Sequence, residues 1–92
     1  MRLENQVAIV TGAGRGIGRA IAARLASDGA RVACVSRTEA NAKKTADEIN
    51  ATRPNTGKAY AVDVADHAAV QKVGARILKD FGRIDILVNN AG

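Results

Sequence analysis

Gln6 to Val10 is a short, continuous apolar run, not an alternating one, which is the pattern of a strand covered on both faces. It ends at Thr11. From Gly16 the spacing becomes helical, with Ile17, Ile21 and Leu25 on one face, Arg19 and Arg24 elsewhere, and Gly29 as the stop. Val32 to Val35 is a second apolar run. Thr38 is placed to cap a helix that turns Ala42, Ala46 and Ile49 inward and Lys43, Lys44, Asp47 and Glu48 outward, ending near Arg53-Pro54-Asn55. Lys58 to Asp63 reads as the third strand. Asp66 can cap a helix whose stripe is Val70, Val73, Ile77 and Phe81, and Gly82 stops it. Ile84 to Asn89 is the fourth strand. The order is βαβαβαβ, and helical crossovers of that kind are right-handed and give a parallel sheet, so the fold class is α/β.

Ninety-two residues, 47% apolar and 25% charged, allow one hydrophobic core and no second domain, and they exclude disorder. Fourteen Lys and Arg against nine Asp and Glu give a net charge of +5, which raises the question of an anionic partner. No basic run exceeds Lys43-Lys44, and the aromatics are Tyr60 and Phe81 alone. Dispersed charge without stacking platforms argues against nucleic acid and leaves a small anionic ligand. Cys34 is the lone cysteine, Met1 to Gln6 lacks the apolar core of a signal peptide, and no apolar run reaches membrane-spanning length, so the expectation is a cytoplasmic protein.

Between the first strand and the first helix lies Thr11-Gly12-Ala13-Gly14-Arg15-Gly16-Ile17-Gly18, with a glycine at every second position. A phosphate approaches main chain closely only where Cβ atoms are missing, and the helix start behind the loop offers unpaired N–H groups and partial positive charge. The spacing is G-x-x-x-G-x-G through Gly12, Gly16 and Gly18, with Ile17 where G-x-G-x-x-G would need its last glycine. A P-loop is excluded, since no Gly-Lys-Ser/Thr follows. A glycine-rich turn serving only tight packing is the plain alternative. The strand before and the helix after favour a pyrophosphate site.

With these residues the chain resembles the short-chain dehydrogenases/reductases, whose signature T-G-x-x-x-G-x-G is met by Thr11, Gly12, Gly16 and Gly18. Asp63-Val64 looks like the family's Asp-Val after strand three, and Asn89-Asn90-Ala91-Gly92 like its N-N-A-G after strand four, preceded by the typical Arg83-Ile84-Asp85-Ile86-Leu87-Val88. Among subfamilies the chain looks most like the 3-oxoacyl-(acyl-carrier-protein) reductases. The resemblance implies a Rossmann-type doubly wound parallel sheet of order 3-2-1-4, cut short after strand four, with residues 1–92 as the N-terminal dinucleotide-binding part. Helices one and two on one face and helix three on the other would leave that second face partly bare and sticky.

The resemblance also implies that Gly12, Gly14, Arg15, Gly16, Ile17 and Gly18 hold a nicotinamide dinucleotide's pyrophosphate. Asp63 should hydrogen-bond the adenine amine, Val64 should pack by the ring, and Asn90, Ala91 and Gly92 should line the adenosine ribose. Ordinary roles stand beside these, Asp63 as a solvated strand-end residue and Asn90 as a turn residue. Where a carboxylate at the end of strand two would select NAD, this chain has Ser36-Arg37. A guanidinium pairs with a 2′-phosphate that a carboxylate would repel, so Arg37, with Arg15 as a second cation, argues for NADP(H) over NAD(H). The bland reading makes both arginines solvated surface charges.

No residue is nominated as catalytic. The family's Tyr, followed three residues later in its helix by Lys, its Ser and its helix-borne Asn fall after N-N-A-G, and Tyr60 lies in a strand with Val64 at the lysine position. His67 reads as surface and Cys34 as a small buried apolar residue, with no metal site. The first expectation is therefore the cofactor-binding part of an NADP(H)-dependent reductase. Its substrate is a small molecule or an acyl thioester, and the family habit is a homo-oligomer, with no nucleic acid or membrane partner. The alternative is a non-catalytic, stand-alone nucleotide-binding module or redox sensor.

Overall fold

The computed structural model of the protein describes residues 2–90. Seven elements follow one another: β1 (Val7–Thr11), α1 (Gly16–Ser27), β2 (Arg31–Ser36), α2 (Glu39–Thr52), β3 (Gly57–Ala61), α3 (His67–Phe81) and β4 (Ile86–Val88). The strands form one parallel sheet in the order β3-β2-β1-β4, with Val10 beside Cys34 and Val88, and Cys34 beside Ala59. The fold is thus a Rossmann-type α/β sheet with the expected strand order.

Alternation along the two central strands divides the core. Val10, Val32 and Cys34 pack with Ala22 and Ala26 of α1 and Ala46 and Ile49 of α2. Ala33 and Val35 turn the other way and meet Tyr60, Val62 and Ile77 of α3. Burial raises the Cys34 thiol pKa to about 12, so it is a neutral apolar residue at ordinary pH. The α3 side is less covered: Leu87 of β4 is 65% exposed and Leu78 of α3 is 50% exposed. Among the described residues no helix is long and apolar enough to cross a membrane, and no group of three or more potential metal ligands is present.

Several local expectations are corrected. The buried face of α1 is Gly18, Ala22 and Ala26, while Ile17 is 72% exposed at the sheet's C-terminal end. Small residues win that face because α1 must lie close to the sheet. A Cβ on Gly18 would sit 2.0 Å from the Gly12 carbonyl oxygen. On α3, Ala69 takes the place expected of Val70, which is exposed. Thr38 occupies the start of α2 but makes no side-chain cap, whereas Asp66 accepts the Ala69 N–H (3.1 Å) as expected. β3 stops at Ala61, so Val62 and Asp63 lie beyond it, and β4 is three residues instead of six.

Asp85 explains the short β4. Its carboxylate accepts the Val7 N–H (2.9 Å) while its own N–H bonds the Val7 carbonyl (2.9 Å), so a side chain replaces one rung of the ladder. Arg83 grips the same carboxylate at 2.7 Å. That ion pair, aided by the Val7 N–H, holds the Asp85 pKa below its ordinary value of 3.8. The unfolded chain therefore takes up this proton first as pH falls. The stabilisation is complete above the ordinary carboxylate range and disappears as pH drops through the lower folded value. Melting curves should show Asp85→Asn less stable than the parent at pH 7, with the gap narrowing below about pH 4; a gap that is constant with pH contradicts this assignment.

Candidate functional site

The strand order reverses between β1 and β4, because β2 and β3 build outward on one side of β1 and β4 joins on the other, still parallel to it. In open α/β sheets the crevice at the carboxyl ends of the strands at such a reversal is where ligands bind. A cleft of about 740 Å³ lies at the carboxyl end of this sheet.

The glycine loop forms one wall, with Gly12, Gly14, Arg15, Gly16 and Ile17 all in the lining. Gly12 and Gly16 have φ of 66° and 60°, the left-handed region that favours glycine. Nothing lies within 4 Å of where a Gly16 Cβ would stand, so that side of the loop is open. A Cβ on Gly14 would lie 2.7 Å from Asn41 Cβ and from Ser36 Oγ; this glycine is required by packing against β2 and α2. Gly18 does not line the cleft; its role is the close crossing of Gly12 already described.

Two bonds suspend the loop. Ala13, fully buried, donates its N–H to the Val35 carbonyl (3.0 Å) and accepts the Thr45 hydroxyl at its own carbonyl (2.8 Å). A third tie closes the β1–β4 side, where Thr11 Oγ accepts the Asn90 N–H (2.9 Å) and points its proton toward Asn89 Oδ1 (3.1 Å) and the Val88 carbonyl (3.3 Å).

Behind the loop, α1 begins unlike the other helices. Arg15 at its start makes no side-chain cap, and its first turn holds no acidic residue, whereas α2 has Glu39 there and α3 has the Asp66 cap. The Arg19 N–H to the Arg15 carbonyl (3.3 Å) is the helix's first bond, which leaves the N–H groups of Gly16, Ile17 and Gly18 without partners in their own helix. Partial positive charge therefore faces the cleft.

The opposite wall comes from the ends of β2 and β3. Ser36 and Arg37 line it, followed by Thr38 and Asn41 from the start of α2, with Val35 and Val62 beneath. Ser36 accepts the Val62 N–H at its carbonyl (2.9 Å). Asp63 and Val64 form the rim and are exposed; Asp63 Oδ1 accepts the Ala65 N–H (3.0 Å) in a local turn. The side chains of Arg15 and Arg37 are exposed at the mouth and make no ion pair or hydrogen bond among the described residues. Asn90 completes the lining, whereas Ala91 and Gly92 lie outside the described residues.

Ten sequence-nominated residues thus meet in one cleft, from Gly12 through Asn90. Sequence reading missed Thr38, Asn41 and Thr45. The first two were findable, since a helix that starts where β2 ends must put its first turn at the same crevice. Thr45 carried no such signal, because a threonine inside a helix reads as a neutral choice.

Residues 6–92 match the family model of the short chain dehydrogenases. The chain belongs to that family. It is 46% identical over 91 residues to D-threitol dehydrogenase of Mycolicibacterium smegmatis, covering 99% of this chain and 35% of that protein. It is 45% identical over 92 residues to the 3-oxoacyl-(acyl-carrier-protein) reductase FabG of Escherichia coli, covering all of this chain and 36% of that protein. The chain thus spans about a third of these relatives' length. A metagenomic short-chain oxidoreductase solved in complex with NADP superposes with a TM-score of 0.94 at 41% identity, covering 100% of this chain and 41% of that one.

Thr45→Val keeps the shape of the side chain and removes the hydroxyl that serves the Ala13 carbonyl. The buried carbonyl then lacks that partner, and the protein should lose about 1–3 kcal/mol in denaturant unfolding. No loss of stability would mean that the loop does not hang from α2.

Proposed function

We propose that this chain is the NADP(H)-binding segment of a short-chain reductase, gripping the dinucleotide in the cleft above the sheet. The observation that carries the reading is the uncapped start of α1 behind an open, left-handed glycine loop. An anion supplies what that helix lacks, and the diphosphate of a dinucleotide has the charge and the slim outline that a cradle without Cβ atoms admits. Asp63 and Val64 at the rim suit an adenine, Asp63 accepting from its amine and Val64 lying against its ring. Asn90, with Ala91 and Gly92 beyond the described residues, suits the ribose.

Arg37 and Arg15 support the choice of the phosphorylated cofactor, being two guanidiniums without carboxylate partners at the mouth of the cleft. The relative bound to NADP is consistent with that choice. Bound there, the nicotinamide group would exchange hydride with a carbonyl or alcohol carbon. These 92 residues hold and orient the cofactor, and residues elsewhere in the parent protein transfer the proton. The substrate class proposed is a carbonyl or alcohol, with 3-oxoacyl thioesters first, and the parent protein acts as a homo-oligomer. A polyol dehydrogenase and an acyl reductase match at nearly equal identity. Identity over this stretch therefore does not choose between the two substrate classes.

Titration of the intact protein with both cofactors tests the reading. NADPH should bind more tightly than NADH, and Arg37→Ala should weaken NADPH roughly 10- to 100-fold with little change for NADH, the size of a lost charge-assisted pair. Equal or tighter binding of NADH, unaffected by that substitution, removes the basis for NADP(H).

A further inference from the structure

A second cleft, of about 530 Å³, opens on the α3 side of the sheet. It shares Arg37, Val62 and Asp63 with the first, so the two meet at the ends of β2 and β3. Its remaining charged lining is Lys72 and Arg76.

These two cations stand four residues apart on one face of α3, an arrangement that costs helix stability by like-charge repulsion. The Lys72 side chain is exposed and makes no ion pair or hydrogen bond among the described residues. Arg76 lies over the Tyr60 ring at 5.5 Å, which fixes its direction without neutralising it. The nearby carboxylate, Asp80, accepts the Tyr60 hydroxyl at 2.7 Å, pairs with Lys58 at 3.1 Å, and also feels the Arg76 charge without a direct ion pair to it.

The shared rim also carries Asp63, whose negative charge opposes that of Arg37. Asp63 therefore offsets part of the attraction that Arg37 exerts on a phosphate at that rim. Lys72 and Arg76, lining the adjoining cleft, add positive charge beside the same rim.

We infer that Lys72 and Arg76 act with Arg37 as determinants of selectivity for a 2′-phosphorylated dinucleotide, reaching the phosphate through the field and not by contact. This rests on the dinucleotide reading of the first cleft. The expected size follows from Coulomb's law. Reversing one charge about a Debye length (~10 Å) from a dianion weakens binding roughly sevenfold near 10 mM salt and about twofold near 150 mM.

The test is the affinity of the intact protein for NADPH and NADH in Lys72→Glu and Lys72→Gln, at low and physiological salt, with melting temperature as a check on folding. The inference expects NADPH to weaken in the order Gln then Glu, a gap that shrinks with salt, and NADH, which carries the diphosphate but no 2′-phosphate, to weaken less. It is overturned if NADPH binding is unaffected at low salt, or if both cofactors weaken equally. Arg37→Ala in parallel separates the two readings. Loss of NADPH preference there, with none in the Lys72 variants, leaves the cofactor reading standing and removes this inference alone.

Discussion

The close crossing of Gly18 over the Gly12 carbonyl is the constraint on which the rest depends. With no side chain at that point, α1 lies against the end of β1, and its first turn is aimed across the tip of the strand. The small inward face of that helix, Gly18, Ala22 and Ala26, is the same requirement continued along its length. Backbone proximity, and not a buried bulky side chain, sets the position of the helix whose start faces the cleft. Ala13 then carries the loop's remaining load through one bond to β2 and one to α2.

The glycines of the loop divide into two kinds of work. Gly12 and Gly16 are needed for their backbone angles, while Gly14 and Gly18 are needed because neighbouring atoms occupy the space a methyl group would take. Gly16 combines a left-handed angle with open surroundings, so main chain is accessible there from the cleft. A motif read as one feature in sequence is therefore two packing solutions and one cradle.

Much of this was legible beforehand for a physical reason: unbroken apolar runs such as Val32 to Val35 mean burial on both faces, and β2 is buried from Val32 to Ser36. The parallel sheet and the glycine wall of the cleft followed from that and from the glycine spacing, whereas the strand order and the Asp63, Val64 and Asn90 part of the cleft were implied by the family resemblance. Misreadings fell where tertiary contacts override local pattern. Ile17 has helical spacing with Ile21 and Leu25, yet it precedes the point where α1 meets the sheet, so it projects beyond it. Ile84 and Asp85 look like strand, but the Asp85 side chain takes a backbone partner's place at Val7. Thr45 was illegible because its importance lies in a carbonyl 32 residues away.

Cys34 sits midway along β2, flanked by β1 and β3 and covered by both helices of one face. With its thiol proton held to about pH 12 and no solvent path, an alkylating reagent meets it only when neighbouring strands part. The protein thus carries a built-in clock for sheet opening: the labelling rate of a single sulfur, followed by mass, counts how often the central strand breathes.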